Sequence, residues 1–198
     1  MRVLVACEYS GTVRDAFTRG GHDAMSCDLL PSETAGEHYQ GSVLDLMDEP
    51  FDLVIAHPPC TYLANSGVHW LDKSTQRWRD LFDGAEFFAR MWDFNAPRIA
   101  VENPIQHKFA IKIHGKGKPD QYVQPYEFGT PETKRTGLWL VNLPPLIATD
   151  DVRGAMANLP RSQTERVWRM PPGPDRQKER ARFPLGIAEA MASQWGAA

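Results

Sequence analysis

The chain has 198 residues, 42% of them hydrophobic, with a formal net charge of −3 and an isoelectric point near 6.1. That length suits one α/β domain over residues 1–198, because two halves would each fall near the size at which cores become marginal. The charge excludes a polycation that binds nucleic acid through bulk electrostatics, and no apolar run reaches a membrane span, so a cytoplasmic protein with local basic patches and no membrane partner is expected.

"RVLVAC" (2–7) is a continuous apolar, β-branched run, as expected of a strand buried on both faces. "SGTVRDAFTRGGH" predicts a turn, a short helix with Val13, Ala16 and Phe17 on one face, and a Gly-Gly stop. "DAMSCDLL" reads as a second strand ending on Asp28, and the polar residues 31–41 read as a loop. "FDLVIAH" (51–57) is a central strand that runs straight into a Pro-Pro-Cys turn. Residues 74–93 carry Trp78, Leu81, Phe82, Ala85, Phe88, Met91 and Trp92 at helical spacing, with Ser74 as the cap. "RIAVENP" (98–104) is another buried strand, "TGLWLVNLPPL" (136–146) a strand pair or hairpin edge, and "PLGIAEAMASQWG" (184–196) a helix.

This alternation predicts a parallel sheet with helices on both faces, where ligands gather outside the carboxyl ends of the strands. Glu8, Asp28, Asp45, the 57–60 turn, and Glu102 with Asn103 all fall at or just after predicted strand ends, so they share one edge. The three cysteines, Cys7, Cys27 and Cys60, are odd in number and lack paired metal spacing, which suits a reducing compartment and no metal. Cys60, held by two prolines just past a strand, is a candidate nucleophile, since the thiolate is the reactive form. Glu102, in a strand end stiffened by Pro104, is a candidate general acid beside it. Such a pair suits attack on an electron-poor ring. His57 either faces that ring or packs.

Together "HPPC" (57–60) and "VENP" (101–104) resemble the DNA cytosine-5 methyltransferase family, and "VLVACEYSGTVRDAF" (3–17), Asp28, Asp45 and the C-terminal "PLGIAEAMASQWG" extend the resemblance over most of the chain. It is similar above all to the short bacteriophage and prophage members that lack a separate target-recognition domain. The resemblance implies a Rossmann-like class I S-adenosylmethionine-dependent methyltransferase sheet. It implies that Cys60 adds to carbon 6 of cytosine, that Glu102 stabilises the protonated N3, and that Asn103 or the carbonyl of Pro59 helps hold the base. Carbon 5 then takes the methyl of S-adenosylmethionine. Asp28 would bind the cofactor ribose, Asp45 its adenine, and Tyr9, Ser10 and Gly11 its methionine part, with Glu8, Leu29, Pro58, Gly186 and Ile187 completing the pocket. The implied partner is DNA, as a duplex with a flipped cytosine or as a single strand.

The chain departs from the family pattern in several places. Its first motif has one glycine, Thr61 stands where glutamine is usual, and Lys134 and Arg135 are the nearest substitutes for a Gln-x-Arg-x-Arg segment. Residues 147–183 leave no room for a recognition domain. Two basic stretches read as flexible loops able to track phosphates, 107–119 with Lys108, Lys112 and Lys116, and 161–183 with Arg166 and Arg169. A short or loose target context is therefore expected. The alternatives are an inactive methyltransferase-shaped protein that binds DNA or a partner, an enzyme acting on RNA or free nucleotide, and transfer of a modified one-carbon group.

Overall fold

Alternate residues of the inner strands feed two separate cores, as a sheet covered on both faces requires. The structure, a computed structural model, describes residues 1–173 and 176–197, without the side chain of Gln177. Its strands are β1 (Arg2–Ala6), β2 (Asp23–Asp28), β3 (His38–Gln40), β4 (Leu53–Ala56), β5 (Ile99–Pro104), β6 (Gln121–Val123) and β7 (Thr136–Val141). They form one seven-stranded sheet in the order β3-β2-β1-β4-β5-β7-β6, parallel except that β7 runs against both β5 and β6. This is the expected Rossmann-like α/β sheet, with helices on both faces.

The main helices are α1 (Thr12–Arg19), α2 (Thr75–Arg90) and α3 (Lys108–His114); short α4 (Arg153–Met156), α5 (Arg161–Thr164), α6 (Arg166–Arg169) and α7 (Arg176–Ala181) precede α8 (Leu185–Trp195). On one face Val3, Val5, Leu53, Ile55, Ala100 and Leu138 pack with Phe17 of α1 and Ile187, Met191 and Trp195 of α8. On the other, Leu4, Ala6, Val54, Ala56, Val101 and Trp139 pack with Leu81, Ala85 and Phe88 of α2 and Ala110 of α3. Each large side chain buried in this way contributes about 1.5–3 kcal/mol.

Local chemistry sets the helix ends. Ser74 Oγ accepts from Arg77 N–H (3.2 Å) and starts α2 as expected. α3 starts where His107 Nδ1 accepts from Ala110 N–H (3.1 Å), and it stops at left-handed Gly115. β1 stops because Cys7 is left-handed (φ 59°), which breaks the strand alternation and turns Glu8 back beneath α1.

Three expectations are corrected. Residues 31–41 contain β3, which pairs with β2. Residues 107–119 are not one flexible loop, because Lys108–His114 form α3 with His107, Ala110 and His114 buried, and only 115–119 are irregular. Residues 161–183 hold α5, α6 and α7, anchored by buried Thr164, Val167 and Phe183. Among the described residues no helix is long and apolar enough to cross a membrane.

Candidate active site

Because β1, β2, β4 and β5 are parallel, their carboxyl ends share one edge. β4 delivers His57 and then Pro58, Pro59 and Cys60, with His57 N–H continuing the ladder to Ala6 O (2.9 Å). Pro59 is exposed, Pro58 buried and Cys60 half-buried. In β5 the alternation sends Glu102 toward the α1/α8 side, where it pairs with Leu138, and Asn103 toward the α2/α3 side.

Glu102 is buried and holds two partners. His57 Nδ1 lies 3.2 Å from Oε2, and Thr136 Oγ1, from the first residue of β7, donates to Oε1. With the carboxylate ionised, Nδ1 must carry the hydrogen. Burial alone would push the Glu102 carboxyl up. The hydrogen bond and charge of His57, then Lys134 and Thr136, outweigh it and hold the carboxyl below its usual range. Cys60 lies close enough to feel that charge. Burial and then Glu102 push the thiol up, and Lys134 works in the opposite direction. The resting nucleophile is therefore a neutral thiol. Lys134 is itself pushed down by burial against the pull of Glu102 and Cys60, and its Nζ donates to Arg182 O (2.8 Å).

On the opposite side of β5 a directional chain of hydrogen bonds reaches the nucleophile turn. Lys116 N–H donates to His114 Nδ1 (3.0 Å), so His114 Nε2 carries its hydrogen and donates to Gln106 Oε1 (2.8 Å). Gln106 Nε2 donates to Asn103 Oδ1 (3.2 Å), and Asn103 Nδ2 to Pro58 O (2.8 Å). Asn103, Gln106 and His114 are all buried. Burial pushes His114 down to about 4, so it is neutral at physiological pH. A parallel stitch runs from His107 Nε2 to Tyr62 O (3.0 Å), while Asn65 N–H reaches Ile105 O (2.8 Å). "HPPCTYLAN" and "ENPIQH" are thus one interlocked unit. Sequence reading missed Gln106, His107 and His114, whose partners lie far away along the chain.

At the β1/β2 end the proposed cofactor residues divide. Asp28 gives one oxygen to Leu30 N–H (2.9 Å), while its other oxygen has no protein donor among the described residues, and neighbouring Leu29 is 73% exposed. Asp45 is exposed and accepts from Tyr39 OH (3.0 Å). Glu8 and Ser10 are buried and spent on the start of α1, with Glu8 accepting from Val13 N–H (2.7 Å), Arg14 N–H (3.2 Å) and Ser10 Oγ (3.1 Å). Their side chains serve the helix end rather than facing a ligand. Tyr9 OH donates to Lys178 O (2.5 Å), and burial, then Glu33, push the phenol up to about 12. Gly11 is left-handed, and a Cβ there would clash with Thr34 and Arg14. Arg14, fully buried, binds Ser26 Oγ (3.2 Å), Ser32 Oγ (3.1 Å) and Ala35 O (3.1 Å), so it anchors the loop after β2. Gly186 lets α8 touch the backbone of Phe128. Ile187 is fully buried in the core, so its side chain packs rather than lining a pocket.

The basic residues also divide. Lys134 reaches the Glu102–Cys60 pair, and Arg135, exposed beside it, lies over Tyr122 at 4.1 Å. Lys108 lies over Phe109 at 5.2 Å, at the start of α3. Lys112 lies one turn on along that helix. Lys116 lies over Trp92 at 4.9 Å, just past the C-terminal end of α2, which places it toward the opposite end of the sheet from Cys60. Arg166 is paired with Glu132 (2.6 Å) and Arg169 with Glu165 (2.8 Å), which neutralises both. Among the described residues no group of His, Cys, Asp and Glu forms a metal centre.

No family model matches the chain, and no curated protein matches it. Among solved structures it is similar to one described, provisionally, as a DNA modification methyltransferase encoded within an E. coli prophage, at 16% identity and a TM-score of 0.44. That likeness covers 80% of this chain, which spans 55% of the other.

Proposed function

We propose that this chain is a DNA methyltransferase that modifies carbon 5 of cytosine through a covalent bond to Cys60. One relationship carries the reading: a thiol and a carboxylate, delivered by adjacent parallel strands β4 and β5, lie within electrostatic reach at the carboxyl edge of a Rossmann-like sheet.

S-adenosylmethionine, when bound, would supply an electrophilic methyl group. The open oxygen of Asp28 and the exposed side chain of Leu29 fit a ribose diol and the face of an adenine, and Asp45 stands nearby through Tyr39. The side chains of Glu8 and Ser10 do not fit that role, being committed to α1.

Each Glu102 oxygen has a second lone pair beyond its bond to His57 or Thr136, so the carboxyl can still meet N3 and the amino group of a cytosine. The Cys60 sulfur adds to carbon 6, the thiol proton ends on N3, and the ionised Glu102 carboxylate accepts the hydrogen bond of the new N3–H. The electron pair of the ring then makes carbon 5 nucleophilic. Lys134 favours the thiolate as it forms. Asn103, bound to Pro58 O, fixes the turn that aims the sulfur. Lys134 and Arg135 stand where they can meet a backbone phosphate at this edge.

The test is trapping on DNA containing 5-fluorocytosine with S-adenosylmethionine present. Wild type forms a denaturation-resistant adduct, and Cys60→Ser forms none. Absence of an adduct with wild type overturns the reading. Parallel reactions on duplex DNA, single strands, tRNA and dCMP assign the substrate.

A further inference from the structure

Among the described residues, the buried side-chain nitrogen and oxygen atoms without a hydrogen-bond partner are His57 Nε2 and Arg176 Nε. A guanidinium Nε can only donate. His57 Nε2 is therefore the one buried atom of that pair able to accept a proton.

Its surroundings orient it. Nδ1 faces Glu102 Oε2 at 3.2 Å, the side chain is 12% exposed, and the Phe183 ring lies 4.7 Å from the imidazole at 51°. When Nδ1 alone carries a hydrogen, donated to Glu102, the lone pair of the ring is on Nε2, and that is the form the step uses. A carboxylate holding one imidazole nitrogen so that the other can act as a base is a known arrangement for general-base catalysis. His57 stands three residues before Cys60 on the same turn. Beside Cys60, Lys134 Nζ is bound to Arg182 O, and the Glu102 oxygens accept from His57 and Thr136.

We infer that His57 Nε2 takes the proton from carbon 5 of the methylated cytosine while that base is still bound to Cys60. The inference rests on the proposed cytosine chemistry. In net, the C5–H bond breaks and its electron pair forms the C5–C6 double bond. The bond from Cys60 Sγ to carbon 6 breaks with its pair returning to sulfur, and the proton ends on Nε2. His57 then acts after methyl transfer, and Glu102 serves both steps.

The experiment compares wild type, His57→Gln and His57→Asn on two DNAs, after thermal unfolding and S-adenosylmethionine binding show which variant retains the fold. On ordinary cytosine DNA, wild type turns over with little adduct. The variant accumulates a covalent, methyl-bearing enzyme–DNA adduct and releases product about 10²–10⁴-fold more slowly. On 5-fluorocytosine DNA, where carbon 5 has no hydrogen to lose, wild type and variant form the adduct at similar rates. A variant that releases product at the wild-type rate overturns the inference. So does one that loses adduct formation on 5-fluorocytosine, because His57 would then act earlier, through Glu102. Failure of wild type itself to form that adduct removes the cytosine reading and the inference with it, and is seen without any variant.

Discussion

Asn103 Nδ2 donates to the carbonyl of Pro58 over 2.8 Å, so the strand that supplies the carboxylate also holds the turn that supplies the sulfur. Asn103 is 1% exposed and receives in turn from Gln106. Replacing it by Asp sets a carboxylate oxygen against a carbonyl and leaves Pro58 O without a donor. Asn103→Asp should lose about 1–3 kcal/mol in urea unfolding. Its adduct yield on 5-fluorocytosine DNA should fall at least about tenfold. Wild-type yield from Asn103→Asp would remove the asparagine from any positioning role.

The charges around Cys60 predict its reactivity without any DNA. Burial and Glu102 raise the thiol, and Lys134 opposes them. Glu102→Gln should therefore speed iodoacetamide labelling of Cys60 near neutral pH by a few-fold to about tenfold, and Lys134→Met should slow it. Cys27 is fully buried and raised to about 12, so it should stay silent in peptide mass spectrometry. Equal labelling rates in all three proteins would show that these charges do not reach the sulfur.

His114 predicts an acid limb in stability. Its folded value of about 4 lies below the ordinary 6.5, so between those values the unfolded chain binds a proton that the folded chain refuses. Stability should be full above pH 6.5 and decline as pH falls toward 4, by at most about 3 kcal/mol from this group. Burial pushes His107 down as well, so it adds to the same window. His114→Gln should flatten part of the slope in calorimetric melts from pH 7 to about 4. An unchanged slope would assign the acid limb to other groups.

Arg14 is a test of the loop after β2. It is fully buried, and its guanidinium binds Ser26, Ser32, Thr34 and Ala35. Arg14→Met keeps most of the volume but frees those groups, and it should lower stability by about 2–4 kcal/mol. Protease cleavage in residues 31–36 should rise with it. Resistance to cleavage equal to wild type would show that the loop holds itself.

Much of the fold is legible in the sequence where burial writes a pattern. Residues 3–6 of β1, all of β4 and residues 99–101 of β5 are unbroken apolar runs because both faces are covered, and α2 carries its stripe and its Ser74 cap. β3 and β6 have three residues each, too few for alternation to register, and β7 reads as an edge although it pairs on both sides. In the site, Cys60 and Glu102 announce themselves through Pro-Pro and Asn-Pro neighbours. His57, Gln106 and His114 do not, since their partners lie across strands and helices and no local rule marks them. Glu8 misleads for a related reason: its position at a strand end is right, but the left-handed Cys7 turns the carboxylate toward α1.

The reversed direction of β7 has a consequence for how the site can vary. Parallel strands contribute to this edge only as they leave the sheet, whereas β7 enters there, so Thr136 and Lys134 arrive from upstream while Glu102 stands near the end of β5. The two halves of the charged cluster are therefore indexed by a single ladder, like teeth on facing racks. Sliding β7 by two residues would keep every face correctly in or out, yet carry the lysine and threonine about 7 Å from the glutamate. Insertions or deletions in residues 124–135 are thus free to alter the loop, but only those that leave the Pro104–Thr136 pairing in place preserve the cluster.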